Sequence, residues 1–434
     1  MKTSDFQPST DTKLKRIAWL SSRDKSKVFS NLMHLFNEES LEVCFNELDR
    51  RKAVGVDGVD KEAYGKHLQE NLRQLVGKLK QMSYRPGDIR EVLIPKEGKA
   101  GATRPLGISN FEDKLFQRMM HKVLESIYEP LFLEDSYGFR PGRNCHDAVR
   151  ALMQHCYENR VATVIDIDLA NYFGKISHKM MLEMLQLRIK DKRLLRYVAR
   201  LCKAGILSKE NRVIPEGGVS QGSGCSPILA NIYAHYVLDE WIKETVKPHC
   251  RGRVELFRYC DDAVICCENE HDANRILTAL EKRLARYDLE LNKEKTKLVP
   301  FSKHRSQRGN FDFLGFTFYW GKSKAGWLLP KVKSSGKRMR LKLKKVKAWA
   351  KVVRSKYPLV DIWNRFCIKM EGHIRYYGVS FNMLGIRRFV YQAQRILFKW
   401  LNRRSQRKSF TWEKFELFIK SKPPIRIKIW HKLW

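Results

Sequence analysis

Two short apolar, β-prone runs that carry acids limit most tightly what this chain can fold into. Phe257-Arg258-Tyr259-Cys260-Asp261-Asp262-Ala263-Val264-Ile265 sets adjacent carboxylates between apolar stretches, the pattern of a hairpin that lifts acids into a cleft. Earlier in the chain, Val164-Ile165-Asp166-Ile167-Asp168-Leu169 supplies a second acid-bearing strand. Side chains alternate along a strand, so Ile165, Ile167 and Leu169 share one face and Asp166 and Asp168 the other. Carboxylates from two strands meeting at one spot suit hard divalent cations. They suit in-line phosphoryl or nucleotidyl transfer, where paired metals roughly 3.5–4 Å apart activate the attacking oxygen and steady the leaving one. Asp168 and Asp261 read as the main pair of ligands, Asp262 as the adjacent acid, and Asp166 as an acid one pleat further back.

A length of 434 residues exceeds one compact core and implies more than one domain. The chain holds 84 Lys/Arg against 47 Asp/Glu, a net charge of +37. Charge of that size repels itself unless a polyanion neutralises it, and nucleic acid is the first candidate. Charges interrupt every apolar stretch well short of the roughly 20 residues that span a bilayer, so no membrane partner is expected. The amino terminus opens no signal-peptide core, and a cytoplasmic protein is expected. The ten cysteines form no CxxC pair, which argues against a zinc ribbon and for thiols packed as small hydrophobes. A P-loop and an HExxH pair are both missing from the sequence.

The order of elements reads as α+β around a small antiparallel sheet, not a doubly wound series. Residues 1–60 look helical, with an apolar stripe through Val28, Leu32, Leu35 and Phe36. A helix is expected at 68–79, a strand at 89–95, and helices at 111–133 and at 144–159, the last beginning at Asn144. Strand 161–169 leads to helices 177–188 and 191–204, a long apolar helix from Ile228 to Trp241, helix 271–287 and a strand near 311–319. Composition then shifts. From Gly321 to Trp434 there are 31 Lys/Arg and only four acids, interleaved with aromatics, as in a helical module that grips a phosphate backbone.

Several residues outside the acids bear on chemistry. Phe173 reads either as a core aromatic at a strand end or as a ring beside a nucleotide sugar, excluding a 2′-hydroxyl. Gln221, in Gln221-Gly222-Ser223-Gly224-Cys225-Ser226-Pro227, stands where glycines let backbone approach a ligand, with Pro227 fitting the first turn of the next helix. Lys96 and Arg104 flank a flexible loop and are either solvated or hold a triphosphate. Lys295 is a candidate proton donor to departing pyrophosphate.

In this order the segments resemble bacterial group II intron-encoded proteins, which combine reverse transcriptase and maturase. The resemblance rests on Ile94-Pro95-Lys96 through Arg104-Pro105-Leu106-Gly107-Ile108, Ser136 to Gly142, Asp168 to Phe173, Gln221 to Asn231, Tyr259 to Asp262, Leu291 to Lys297 and Phe313-Leu314-Gly315-Phe316. It implies a right-hand polymerase with an RNA-binding amino-terminal extension (1–60), fingers (61–160), palm (161–322), thumb or maturase domain X (323–400) and a basic DNA-binding tail (401–434). Trp363-Asn364-Arg365-Phe366 and Ile374-Arg375-Tyr376-Tyr377-Gly378 look like the domain X signature.

The resemblance further implies two Mg²⁺ held by Asp168, Asp261 and Asp262, Phe173 at the sugar, Gln221 in the nucleotide pocket, and Lys96 with Arg104 on the triphosphate. Arg140, Arg143, Lys337, Arg338, Arg340, Lys344, Lys345, Arg403, Arg404, Arg407 and Lys408 are the expected nucleic-acid contacts. Expected partners are a group II intron RNA, target DNA and dNTPs, in splicing and in target-primed reverse transcription. A splicing-only maturase and a domesticated reverse transcriptase in repair or defence are the alternatives. The sequence departs from the family pattern at Cys260, usually Ala, and at Gly174, usually Asp. With no Cys-pair-bearing HNH module read up to Trp434, it resembles the members expected to be unable to cut the second target strand.

Overall fold

The computed structural model describes residues 9–434 apart from 97, 99–100, 209–210, 305–307 and 405–410. Near the amino terminus lie α1 (Thr10–Arg23), α2 (Glu38–Glu47), α3 (Lys61–Gly65) and α4 (Leu68–Lys80). The stripe from Val28 to Phe36 is not a helix. Phe29 bridges to the 188–190 segment, with its N–H on Arg188 O (2.8 Å) and its carbonyl accepting from Lys190 N (2.8 Å), and only Met33–Leu35 makes a single 3₁₀ turn. The apolar residues still reach the core: Leu32, Leu35 and Phe36 are buried.

Strands β1 (Ile89–Pro95) and β2 (Thr103–Ile108) form a hairpin, followed by α5 (Phe111–Tyr128) and α6 (Cys145–Glu158). Asn144 caps α6, its side chain accepting from the N–H of His146 (2.9 Å) and Asp147 (3.1 Å), while Asp147 reaches back to the Asn144 N–H (3.1 Å). Such a reciprocal cap fixes a helix start and is worth about 1 kcal/mol. Next come β3 (Thr163–Asp168), the short α7 (Tyr172–Lys175), α8 (His178–Gln186), α9 (Lys192–Cys202), and β4 (Ile206–Leu207) with β5 (Arg212–Val213), which extend the β1–β2 sheet.

Helix α10 (Ser226–Ala234) has Pro227 in its first turn. The long helix expected to Trp241 instead widens into π-helical turns at His235–Asp239 and Trp241–Val246. Strands β6 (Val254–Tyr259) and β7 (Asp262–Cys267), helix α11 (Glu270–Arg286) and β8 (Lys297–Pro300) complete a four-stranded antiparallel sheet in the order β6-β7-β3-β8. Its two faces serve two cores. Ile165, Ile167, Leu256, Ala263 and Ile265 belong to the core shared with the amino-terminal helices. Val164, Phe257, Val264 and Cys266 belong to the core shared with the carboxyl-terminal elements.

Strands β9 (Phe311–Phe313), β10 (Phe316–Lys322) and β11 (Leu328–Ser334) form a third sheet, which leads to α12 (Gly336–Val353), α13 (Leu359–Tyr377), α14 (Met383–Leu401) and α15 (Trp412–Lys420). The fold is thus mixed α+β with a helical carboxyl-terminal part. The stretch after α15 is not wholly a loose basic tail. Ile425, Ile427 and Ile429 pack on the second core and Leu433 is buried. Arg150 of α6 holds Lys432 O (3.2 Å), and Trp430 N and His431 N both donate to Gly378 O (2.7 and 2.9 Å). Apolar residues alternate with the lysines there, and burying them folds the segment back.

Candidate active site

The register of β3 on β7 sets Asp168 directly opposite Asp262, and β6 on β7 pairs Tyr259 with Asp262. Opposed side chains on antiparallel strands stand about 4.5–5.5 Å apart at Cβ, close enough for their charges to interact strongly. Cys260 and Asp261 form the two-residue turn between β6 and β7. Cys260 has φ +59°, a left-handed value that costs an ordinary residue roughly 1–2 kcal/mol.

The chain offsets that strain by fastening the turn from below. Arg258, 1% exposed, donates from Nε to Asp239 Oδ1 (2.7 Å) and from Nη2 to Asp239 Oδ2 (2.6 Å). It also reaches Cys260 O (3.1 Å), Asn231 Oδ1 (3.1 Å) and Ser136 Oγ (2.7 Å). Asn231 in turn donates to Gly138 O (2.6 Å). Gly138 is needed there, since a Cβ would fall 2.4 Å from both N and Sγ of Cys260.

Asp262 is open to solvent on one side yet crowded by protein on the others, as befits a cleft floor. Its pKa rises to about 6, first through that crowding and then through Asp261 and Asp168, with Arg338 and Lys295 opposing. Asp166, one pleat back, rises to about 7 by burial and by the charges of Asp262, Asp312 and Asp168. Negative charge is therefore concentrated at one end of the sheet. Lys295 answers part of it: its ammonium forks the Asp168 carboxylate at 2.9 and 2.7 Å. The turn that carries Lys295 is itself tied to Asp168, whose carbonyl accepts from Asn292 N (2.8 Å).

A cleft of about 790 Å³ opens above these acids and brings Asp261, Asp262, Phe173, Gln221 and Arg104 together. Asp168, paired across the strands with Asp262, and Lys295, bound to Asp168, are not among the residues that line it. Lys96 stands outside the lining, exposed at the end of β1 beyond the Ile94–Arg104 pair. Gln221 is fixed by main chain: its carbonyl accepts from Gly107 N (2.6 Å), and Gly222, at φ +110°, could carry no Cβ because it would fall 2.5 Å from Gly107 O. The Phe173 carbonyl accepts from Val219 N (2.8 Å), so the ring and the glutamine loop move as one piece.

The Gly174 departure also acquires a physical reason. A Cβ on Gly218 would lie 2.9 Å from Gly174 Cα, and a Cβ on Gly174 would lie 2.4 Å from the Asn171 amide. Two backbones touch where the family usually has an acid. His178 clamps the same contact through Nε2 on Gly218 O (2.6 Å).

The cleft also contains residues that sequence reasoning did not assign to it. The Leu314-Gly315 turn, with φ +51° and +80°, is a two-residue hairpin loop of the type that matches strand twist. Tyr376 donates to Leu314 O (2.8 Å), and Tyr377 packs so close that a Cβ on Gly315 would meet its Oη at 2.9 Å. Arg338 and Lys342 of α12 complete that wall, Lys342 lying 4.7 Å from the Tyr377 ring centre. This turn breaks the single strand expected near 311–319, and Gly315 was the signal available for it; nothing in the basic run distinguished Arg338 from its neighbours.

Of the expected nucleic-acid contacts, Lys337, Arg338, Arg340, Lys344 and Lys345 lie on exposed positions of α12. Arg403 and Arg404 are exposed at the end of α14, and Arg407 and Lys408 fall outside the described residues. Arg140 is corrected. Arg140 is turned inward, its side chain 4% exposed, on Glu129 (2.9 Å), Leu133 O (2.6 Å) and Ser136 O (2.7 Å). Arg143 pairs with Glu134 and lies over Tyr137, but keeps guanidinium donors beyond that pair. The Arg140 guanidinium, with its donors filled internally, has none left for a phosphate. No helix among the described residues is long and apolar enough to cross a membrane.

Residues 94–318 match the family described as reverse transcriptase (RNA-dependent DNA polymerase). Among curated proteins, the group II intron-encoded protein LtrA of Lactococcus lactis subsp. cremoris is 28% identical over 302 residues, 67% of this chain and 50% of that protein. Protein YkfC of Escherichia coli K12 is 36% identical over 44% of this chain and 50% of that protein. An uncharacterized 91 kDa protein in the cob intron of Schizosaccharomyces pombe is 33% identical over 50% of this chain and 28% of its own length. The chain thus spans about half or less of these relatives. With the family match covering more than half of its residues, this chain belongs to the reverse transcriptase family, with group II intron-encoded proteins among its relatives.

Proposed function

We propose that this chain is an RNA-directed DNA polymerase that binds a group II intron RNA, assists its splicing and copies it into DNA at a target site. The observation that carries the polymerase reading is the pairing of Asp168 with Asp262, with Asp261 in the adjoining turn, at the floor of a cleft walled by Arg104, Arg338 and Lys342.

The donor chemistry fits Mg²⁺. Carboxylate oxygens are the hard ligands that ion takes, and beside burial the charges of Asp261 and Asp168 help raise the Asp262 pKa, a crowding of carboxylates that a cation would relieve. Among the described residues no three His, Cys, Asp or Glu side chains converge as a finished metal cage. Asp168 faces Lys295 instead, so binding would require that ammonium to step aside. In this reading Asp168, Asp261 and Asp262 would hold two Mg²⁺, whose chemistry is to activate the primer 3′-hydroxyl and steady charge on the α-phosphate.

The chain's own residues do the rest. Arg104, with Lys96 at the rim, neutralises the triphosphate. Phe173, buttressed by Tyr172 at 5.6 Å, closes the space beside the sugar. Gln221, held through its carbonyl, faces the nucleotide. Lys295, released from Asp168, is placed to give a proton to pyrophosphate. The exposed cations of α12, with Arg403 and Arg404, take the RNA backbone. In domain language, residues 1–60 form the extension, 61–160 the fingers, 161–322 the palm and 323–400 the thumb.

The test is Asp261→Ala, assayed for extension of a DNA primer on an RNA template and for splicing of the intron RNA. Loss of extension with splicing retained is expected. Undiminished extension would sink the proposal.

A further inference from the structure

Between residues 313 and 360 the chain carries fourteen Lys/Arg and not one Asp or Glu. The first part of that run is the β10–β11 hairpin, whose register pairs Thr317 with Lys333, Tyr319 with Lys331 and Gly321 with Leu329. Cross-strand partners point the same way, so Thr317, Tyr319, Gly321, Lys331 and Lys333 share one face. The opposite face, with Phe316, Phe318 and Val332, is buried.

The outer face is organised. Lys333 Nζ lies 4.9 Å from the centre of the Tyr319 ring, and Lys331 Nζ lies 5.3 Å from that of Phe381, which is 37% exposed. Gly321 makes room for this, since a Cβ there would fall 2.9 Å from Lys331 Cδ and 3.2 Å from the Tyr319 ring. Asp312, the nearest acid in sequence, is occupied by the hydroxyls of Thr317 and Ser335. At the hairpin tip Trp327 is 73% exposed in a turn held by Ser323 N on Trp327 O (2.7 Å). Lys322 and Lys324 flank it, both exposed. None of these residues lines the catalytic cleft.

A flat ring open to solvent, Trp327, set among ammonium groups and away from carboxylates, matches one kind of polyanion: one that presents unpaired flat bases along a phosphate chain. A duplex hides its base faces and would use only the lysines. We infer that the β10–β11 hairpin is a second nucleic-acid site, outside the cleft, that takes single-stranded RNA or DNA by stacking a base on Trp327 while the exposed Lys322, Lys324 and Lys333 meet the phosphates. This site goes beyond the polymerase reading and does not need it to hold.

The test uses the full chain and fluorescence anisotropy with labelled 20-mers of oligo(U) and oligo(dT) and with a blunt duplex of the same length. Trp327→Ala removes a ring and no charge, so an interaction that is electrostatic alone will not feel it. Single-strand affinity is expected to fall about tenfold or more, the scale of losing one stacked base, with duplex affinity changed less than twofold. Loss with oligo(U) alone names RNA as the ligand, loss with oligo(dT) alone names DNA, and loss with both means that stacking ignores the sugar. Unchanged affinity for both strands, or an equal loss on the duplex, overturns the inference. Photocrosslinking with a 4-thiouridine 20-mer supplies a second measurement. Crosslinked peptides are expected within residues 319–333, and crosslinks confined to the cleft residues count against the site.

Discussion

The Arg258–Asp239 pair gives the sharpest prediction about how the acid-bearing turn is held. Both side chains are all but sealed, at 1% and 2% exposure, and two charge-assisted bonds of 2.6 and 2.7 Å join them. Asp239→Asn keeps the shape, removes the charge and leaves a guanidinium buried without its counter-ion. Breaking a buried pair in this way costs about 3–5 kcal/mol. For a unit of 150–250 residues each kcal/mol moves the thermal midpoint by about 2–4 °C, so a drop of about 6–20 °C is expected. An internal control is Asp11→Asn, which breaks the Lys15–Asp11 pair at 77% and 72% exposure. That pair is worth at most about 1 kcal/mol, and its loss should leave the melt nearly unchanged.

The functional arm follows from the bond between Arg258 and Cys260 O. Loosening that bond lets the Cys260 backbone leave its left-handed conformation and take Asp261 with it. Primer extension should slow while the affinity for template–primer stays near wild type. Replacing both partners by hydrophobic residues of similar size, Arg258→Met with Asp239→Leu, should recover much of the melting temperature but not the extension rate, since the Cys260 carbonyl still lacks its donor. Asp239→Asn melting within a degree of wild type, or the double variant extending at full rate, would show that the turn is not held from beneath as described.

Three further outcomes are expected. Phe173→Ala should raise incorporation of ribonucleotides relative to deoxynucleotides by about 10–100-fold in single-nucleotide extension, the range of a pocket clash worth 1–3 kcal/mol. Lys295→Met removes the ammonium that competes for Asp168, so calorimetric titration of the free protein should show tighter Mn²⁺ binding while turnover falls. Asp166→Asn should raise the melting temperature most at alkaline pH. Burial and the neighbouring carboxylates push the Asp166 carboxyl up to about 7 from an ordinary 3.8, so the folded state binds the extra proton and stability is lost as pH rises from about 4 to about 7. The gain from Asn should be small near pH 4 and level off above pH 7, and a gain independent of pH would remove burial of charge as its cause.

Much of this arrangement was legible because short-range rules decided it. Alternation along 164–169 placed Asp166 and Asp168 on one face, and Asn144 marked the start of α6 because its side chain satisfies free N–H groups. Elsewhere the same letters supported two structures. The stripe Val28, Leu32, Leu35 and Phe36 has helical spacing, yet hydrogen bonds to the 188–190 segment, far away in sequence, hold the chain extended there. The run from Ile228 to Trp241 is apolar enough for one α-helix. One of its π turns ends at Asp239, which meets Arg258, a contact with no local signature. Arg140 carries the same charge whether it faces a phosphate or Glu129, and only the fold places that acid beside it. Lys295 likewise was readable as a cation near the chemistry, but its fork on Asp168 belongs to the register of β3, β8 and the intervening turn.

The four strands that carry the acids are a wall shared by two rooms. Ile165 and Ile265 press on one side, Val164 and Val264 on the other, and Asp168 and Asp262 sit at the end of the same planks. A wall packed from both sides cannot shift toward one without being pushed by the other. Substitutions in the carboxyl-terminal helices should therefore register at the acid-bearing turn as small displacements rather than as local unfolding. Variation in the two cores is then coupled through the sheet: a larger residue behind Val264 calls for a smaller one behind Ile265, or the acids move.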